Sequence, residues 1–389
     1  MCSDAVARAG HRRFPLREEL NMDVSAVVVA GDVHTRPGGY HQCVHGGTHA
    51  ARACGGFRTS APRDARCTLR SASAIRVAGR LIAERTHVPK ELVHKAVAGE
   101  VLLGDAVQVA EDRFIVTVRW SRDRFLGHRG DRPAGDPLLL AEAVRQAAIY
   151  LSHRFHEVPR DHAFVLCDLE FALEAPLPPG GAQSAPVMLE IDCTRAGRGT
   201  RMAVEVYAGG VRIGRAGMRW AAMERRRYAA LRRRTGGTTV RSNATLDAAV
   251  AGAAGHVPVG AGAGCADRDS VLKDAQGAAA GGRWQLRLDL GHPVLFDHAC
   301  DHIPGMALLE AFRQAARAAS ADPTSDPESW EATSVSITFD AFGELDTPVW
   351  IDLAEGQPGD GALRLTAVQG ERTLATVELT GARLPGGGA

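Results

Sequence analysis

Apolar and polar positions along this chain fall into two similar trains of elements. In the first, Phe114, Val116, Val118 and Trp120 alternate with Arg113, Ile115, Thr117 and Arg119 over 113–120. That period of two predicts a strand with one buried face. A loop follows, then DPLLLAEAVRQAAIYL (136–151), apolar on nearly every side. Such a helix belongs inside a fold rather than on its surface. Asp136 before Pro137 supplies an N-cap and a proline at the first helical position. Four strand-like runs come next, at 163–173, 186–193, 201–208 and 211–220.

The second train repeats the first. RWQLRLDL (283–290) alternates Trp284, Leu286, Leu288 and Leu290 with Gln285, Arg287 and Asp289. The matching helix, PGMALLEAFRQAARAA (304–319), starts at Pro304, and strand-like runs follow at 334–343, 348–354, 362–368 and 372–379. Glu142 and Glu310 stand 168 residues apart (310 − 142), and the flanking elements keep nearly that offset. The chain therefore reads as an internal duplication. The predicted class is α+β, a tandem (double) hotdog, in which an antiparallel sheet wraps one long buried helix in each unit.

Composition sets the boundaries. Residues 1–75 are rich in Gly, Ala, Arg, Ser and His without sustained periodicity, and read as a poorly ordered leader with a short strand at 25–31. His34, His41, His45 and His49 with Cys43 and Cys54 match no zinc spacing there. The first hotdog unit is assigned to 76–234, a Gly/Ala/Thr-rich linker to 235–282, and the second unit to 283–389. Eight cysteines show no C-x-x-C pair and are read as reduced thiols. No apolar run is long enough to span a membrane and no secretory core is present, so a cytoplasmic location is expected. A net charge of +1 argues against nucleic acid as a partner. Charge concentrates only at 224–234, where ERRRYAALRRR carries six arginines, read as a solvated helix face or a docking patch for an acidic protein.

Glu142 with Arg145, and Glu310 with Arg313, are charges on otherwise apolar helices. Residues three apart share a helix face, so each pair can meet. One reading is an internal ion pair that ties the units; the other is a general base beside an anion-binding group. The loop before the second helix holds His292, His298, Asp301 and His302. The corresponding first-unit loop keeps His128, Asp131 and Asp136. His298, Asp301 and His302 could be drawn as a metal site, but loop histidines more often serve in hydrogen bonds, and neither a metal nor a cofactor is expected.

VPKELVHK (88–95), DPLLLAEAVRQA (136–147) and HPVLFDHACDHIPGMALLEAFRQAA (292–316) resemble motifs of the A-factor synthase family, the γ-butyrolactone biosynthesis enzymes of actinomycetes. The last also resembles the catalytic helix of hotdog thioester dehydratases. The resemblance covers about 85–384; the leader falls outside it, and Met22 is an alternative start. It implies an acyltransferase that takes a β-ketoacyl group from acyl carrier protein to dihydroxyacetone phosphate. On that implication Glu310 serves as base or orients His302 as base, and Arg313 grips the phosphate. The backbone at Gly305 and Met306 meets the thioester oxygen, Glu142 and Arg145 form the partner site or line the shared interface, and Asp301 and His298 help bind substrate. A hotdog dehydratase or thioesterase is the alternative enzyme, and a non-catalytic acyl- or lactone-binding protein the alternative outside enzymes. A homodimer is left open.

Overall fold

The computed structural model describes residues 88–383, except 121, 123, 127–133, 181–185, 236–268, 274–281, 321–329 and 355–360. The leader with its expected strand and histidine group, most of the linker, and His128 and Asp131 lie outside the described residues.

Among the described residues, eleven strands form one antiparallel sheet: β1 (Leu103–Ala110), β2 (Arg113–Val118), β3 (Ala163–Leu173), β4 (Val187–Ala196), β5 (Gly199–Ala208), β6 (Val211–Met223), β7 (Arg283–Gln285), β8 (Trp330–Phe339), β9 (Trp350–Leu353), β10 (Leu363–Gln369) and β11 (Arg372–Arg383). The strand order is β1-β2-β4-β5-β6-β3-β8-β11-β10-β9-β7. Read outward from the centre, β3-β6-β5-β4-β2 mirrors β8-β11-β10-β9-β7. The duplication is thus visible as two half-sheets joined where β3 pairs with β8, from Asp168 opposite Thr338 to Ala172 opposite Ser334. Among the described residues, three α-helices accompany the sheet: α1 (Pro137–Arg154), α2 (Arg225–Arg234) and α3 (Gly305–Ala319).

The apolar helices are buried as their sequences require. Leu138, Leu139, Leu140, Val144, Ala147 and Leu151 of α1 are wholly inaccessible, as are Ala307, Ala311, Phe312 and Ala315 of α3. Both helices share one continuous core with the inward residues of the strands, such as Leu189, Val204, Leu365 and Val377. Each fully buried leucine or phenylalanine contributes roughly 1.5–3 kcal/mol. No helix among the described residues is long and apolar enough to cross a membrane.

Two expectations need correction. Strand β2 is buried on both faces, because Ile115 packs with Met188, Tyr207 and Val107 in a small second cluster away from the helices. The run 283–290 is a strand only through Gln285: Asp289 accepts the Gly291 N–H at 3.0 Å and turns the chain, leaving Leu290 exposed. Strand β1, which no clean alternation marks, lies at the sheet edge with an irregular register against β2, and in the second half Leu272 takes the matching place by bridging to Leu286.

Candidate active site

Asp136 begins the site by starting α1. Its carboxylate accepts the N–H of Leu138 at 2.8 Å and that of Phe125 at 2.9 Å, capping the helix and pinning the preceding loop. Less than two turns on, Glu142 is sealed from solvent but fully partnered. Arg145 donates to it through Nε at 2.8 Å and Nη2 at 2.7 Å, Gln146 through Nε2 at 2.9 Å, and Lys95 Nζ stands 3.2 Å away. Burial alone would raise its proton affinity, but Arg145 and Lys95 outweigh burial and hold the carboxyl well below the usual range. A carboxylate held this firmly in its ionised form is a poor proton acceptor.

Lys95 also links the halves. Its Nζ lies 3.7 Å from Asp297 Oδ2, and the same oxygen accepts the Ala96 N–H at 3.1 Å. Asp297 in turn meets His298 Nδ1 at 2.6 Å, and this hydrogen bond is the main reason that His298 is pushed up to about 9. The imidazole is therefore charged at neutral pH. Four residues later the pattern recurs: His302 Nδ1 lies 2.7 Å from Asp301 Oδ1. Asp301 also accepts from Tyr228 Oη at 2.7 Å and Arg232 Nε at 3.2 Å, so three groups fix it behind the His302 ring. With Nδ1 directed at a carboxylate, the free Nε2 of His302 is the acceptor in the neutral ring. His94 is pulled down to about 4 by burial first, then by His153, Arg145 and His298, and stays neutral.

These groups converge on a cavity of about 740 Å³ between the halves. His94, Lys95, Glu142 and Arg145 line it from the first half, and His298, Cys300, His302 and Gly305 from the second. Apolar residues including Phe125, Ile149, Leu308 and Phe339 complete the wall. At the start of α3, Pro304 offers no side-chain cap, while the Ala307 and Leu308 N–H groups both turn back to its carbonyl. The N–H groups of Gly305 and Met306 precede the helical hydrogen-bond ladder and sit at the cavity wall. A side chain at Gly305 would bring its Cβ to 3.0 Å from Phe339 Cζ, so glycine allows this close approach.

The pair expected to act, Glu310 and Arg313, lies elsewhere. Neither lines the cavity, and their accessibilities are 1% and 4%. Arg313 Nη2 donates to Glu310 Oε1 at 2.9 Å, and Nη1 donates to Asp136 Oδ2 at 2.6 Å across the half boundary. Gln314 Nε2 adds a bond to Glu310 at 2.7 Å. Arg313 is thus held between two carboxylates in the interior, away from the cavity. Asp301 likewise does not line the cavity but orients His302. Of the expected residues, the structure brings Glu142, Arg145, His298, His302 and Gly305 together. Among the described residues no group of three or more potential ligands is placed to hold a metal ion.

Lys95, His94, Asp297 and Tyr228 were missed as individual site residues. Lys95 and His94 end the VPKELVHK run, where the signal was present but unassigned. Tyr228 was hidden inside the arginine run.

A profile of the A-factor biosynthesis hotdog domain matches residues 76–224 and 265–385. The 2-oxo-3-(phosphooxy)propyl 3-oxoalkanoate synthase of Streptomyces virginiae is 35% identical over 300 residues, covering 74% of this chain and 95% of that protein. The synthase of the same name from Streptomyces coelicolor is 30% identical over 308 residues, covering 75% and 90%. Among solved structures, an acyl-ACP thioesterase from Bacteroides thetaiotaomicron covers 69% of this chain and 98% of its own, at 14% identity and a TM-score of 0.42. That likeness is too distant to bear on the chemistry.

Proposed function

This chain belongs to the A-factor biosynthesis hotdog family, and from that premise we propose that it transfers a β-ketoacyl group from acyl carrier protein to a hydroxyl of dihydroxyacetone phosphate. The product is the phosphorylated ester from which a butenolide forms by intramolecular condensation. The observation that carries the reading is the shared cavity, lined both by Arg145 and His298, which supply cationic groups, and by Gly305 and Met306 at the start of α3. Phosphate needs the first feature and a thioester carbonyl the second.

The roles follow from the charges. Arg145 and the His298 imidazolium hold the acceptor's phosphate, with Glu142 as the positioning residue that aims the guanidinium. The thioester carbonyl oxygen receives the N–H groups of Gly305 and Met306. His302 Nε2 takes the proton of the attacking hydroxyl as its oxygen bonds to the acyl carbon. The carbon–sulfur bond then breaks, and the same proton passes to the departing thiolate. Asp301 keeps the ring oriented through this exchange. The acyl chain lies along the apolar wall. Both walls come from one chain, so a homodimer is not required to complete the site, and the cytoplasm is where carrier and acceptor would meet it.

The test is mass spectrometry of purified protein with a β-ketoacyl carrier-protein thioester, with and without dihydroxyacetone phosphate. The phosphorylated ester should form only when both are present. Thioester loss without the acceptor would make the protein a thioesterase, and a dehydrated acyl product a dehydratase. His302→Gln should lower the rate by about 100-fold or more while leaving acceptor binding intact.

A further inference from the structure

Helix α2 has two faces. Arg232 is buried in the helix base: Nη1 and Nη2 hold Glu344 at 2.9 and 3.0 Å, Nη2 donates to the Asp301 carbonyl at 2.8 Å, and the guanidinium stacks 4.8 Å over Phe342. Leu231 is buried beside it, and Tyr228 holds Asp301 behind His302. The opposite face carries Arg226, Arg227, Arg233 and Arg234, all exposed. None of these four is in an ion pair with a described residue. Arg225 and Arg160 are exposed and also line the cavity, which places them at its mouth.

We propose that the outer face of α2, with Arg160 and Arg225 at the mouth, is the docking surface for the acidic carrier protein that delivers the acyl thioester. This rests on the acyl-transfer reading. The chain's net charge is only +1, so the concentration of arginine here is local and not a product of composition. The nearby acids, Asp161 and Glu224, are too few to neutralise it, and Asp161 faces His162 at 3.2 Å. A carrier protein presents an acidic surface and a phosphate at the root of its pantetheine arm. The outer arginines suit the first, and Arg160 with Arg225 suit the second. The arm would then enter a cavity in which His302 is held by Asp301, and Asp301 is clamped to this same helix. Side chains that served only solubility would have no reason to gather at the entrance to the chamber.

The test compares two acyl donors with the full-length protein: the carrier-protein thioester and the same acyl group on N-acetylcysteamine, which has neither acidic surface nor phosphate. In Arg226→Glu/Arg227→Glu/Arg233→Glu, kcat/KM for the carrier thioester should fall by about tenfold or more at low ionic strength. The rate from the N-acetylcysteamine thioester should stay at the wild-type value, which also reports an intact fold. Added salt should bring the wild type toward the variant with the carrier donor alone. An unchanged carrier reaction, or an equal loss with both donors, would overturn the docking surface. A wild-type protein that transfers from neither donor would instead overturn the acyl-transfer reading, and the docking proposal with it.

Discussion

The two halves carry one heptapeptide plan and put it to different uses. Gln146 and Gln314 still do the same job. Gln146 accepts the Leu102 N–H at 2.8 Å and donates to the Glu100 carbonyl at 2.8 Å, while Gln314 accepts the Val271 N–H at 2.9 Å and donates to the Asp269 carbonyl at 2.8 Å. The arginines do not. Arg313 crosses to Asp136 and is sealed; Arg145 remains about a fifth exposed at the cavity. The difference traces to the helix starts. The residue 168 positions beyond Asp136 is Pro304, which has no carboxylate to capture an arginine from the other half. One substitution at a helix start separates a structural ion pair from an open cationic site.

The sharpest way to break this comparison is to neutralise each arginine in turn. Arg313→Met leaves Glu310 and Asp136 as buried charges short of a partner, and should cost about 3–5 kcal/mol of stability. Denaturant unfolding followed by circular dichroism would measure it. Arg145→Met should cost less, since Arg145 is partly exposed and Lys95 and Gln146 still hold Glu142. It should nevertheless lower kcat/KM by about 100-fold or more through loss of phosphate binding. If Arg145→Met destabilises as much as Arg313→Met, both pairs are structural and the functional asymmetry fails.

A smaller effect belongs to the sealed side alone. Asp136 is held down to about 2: burial would raise it, but Arg313 and the N–H groups of Phe125 and Leu138 prevail. A depressed carboxylate contributes stability that is present above its unfolded value near 3.8 and is lost as pH falls through the folded one. The contribution is about 2 kcal/mol, and it should disappear between pH 4 and 2. Asp136→Asn should remove that part of the acid dependence, leaving a shallower stability curve across the same window. A curve unchanged by the substitution would mean that Asp136 does not carry this ion pair in solution.

Local patterns explain why the duplication was legible before the asymmetry was. Period two in β3, β5, β10 and β11, an Asp-Pro helix start and the repeated Glu-Ala-x-Arg-Gln are all encoded within a few neighbouring residues. The two Glu–Arg pairs look equivalent at that range. What distinguishes them is a contact between Asp136 and Arg313, 177 residues apart, and another between Ala96 and Asp297, 201 apart. Periodicity carries no information about such pairings. The richer histidine loop drew notice to His298 and His302, which do line the cavity, but it pointed to Glu310 of the same half rather than Glu142 of the other. The cavity lies between the halves, and the carboxylate that lines it beside this loop is Glu142 of the other half.

The smallest predicted effect tests whether the open half uses charge as proposed. His298 is raised to about 9 by Asp297, so the ring is cationic through neutral pH and loses its proton as pH climbs past that value. The KM for dihydroxyacetone phosphate should therefore stay level from pH 7 to 8.5 and rise above pH 9, approaching about tenfold per pH unit if His298 is a major phosphate contact. His298→Gln should raise the KM at pH 7 by about tenfold and flatten that rise. A short uncharged alcohol, tested as acceptor at saturating concentration, should show no such dependence in either protein. A rise that survives in His298→Gln would assign the titration to another group and leave Arg145 as the main holder of the phosphate. The sealed half offers the internal control, since Arg313 is held between Glu310 and Asp136 and stays charged throughout this range.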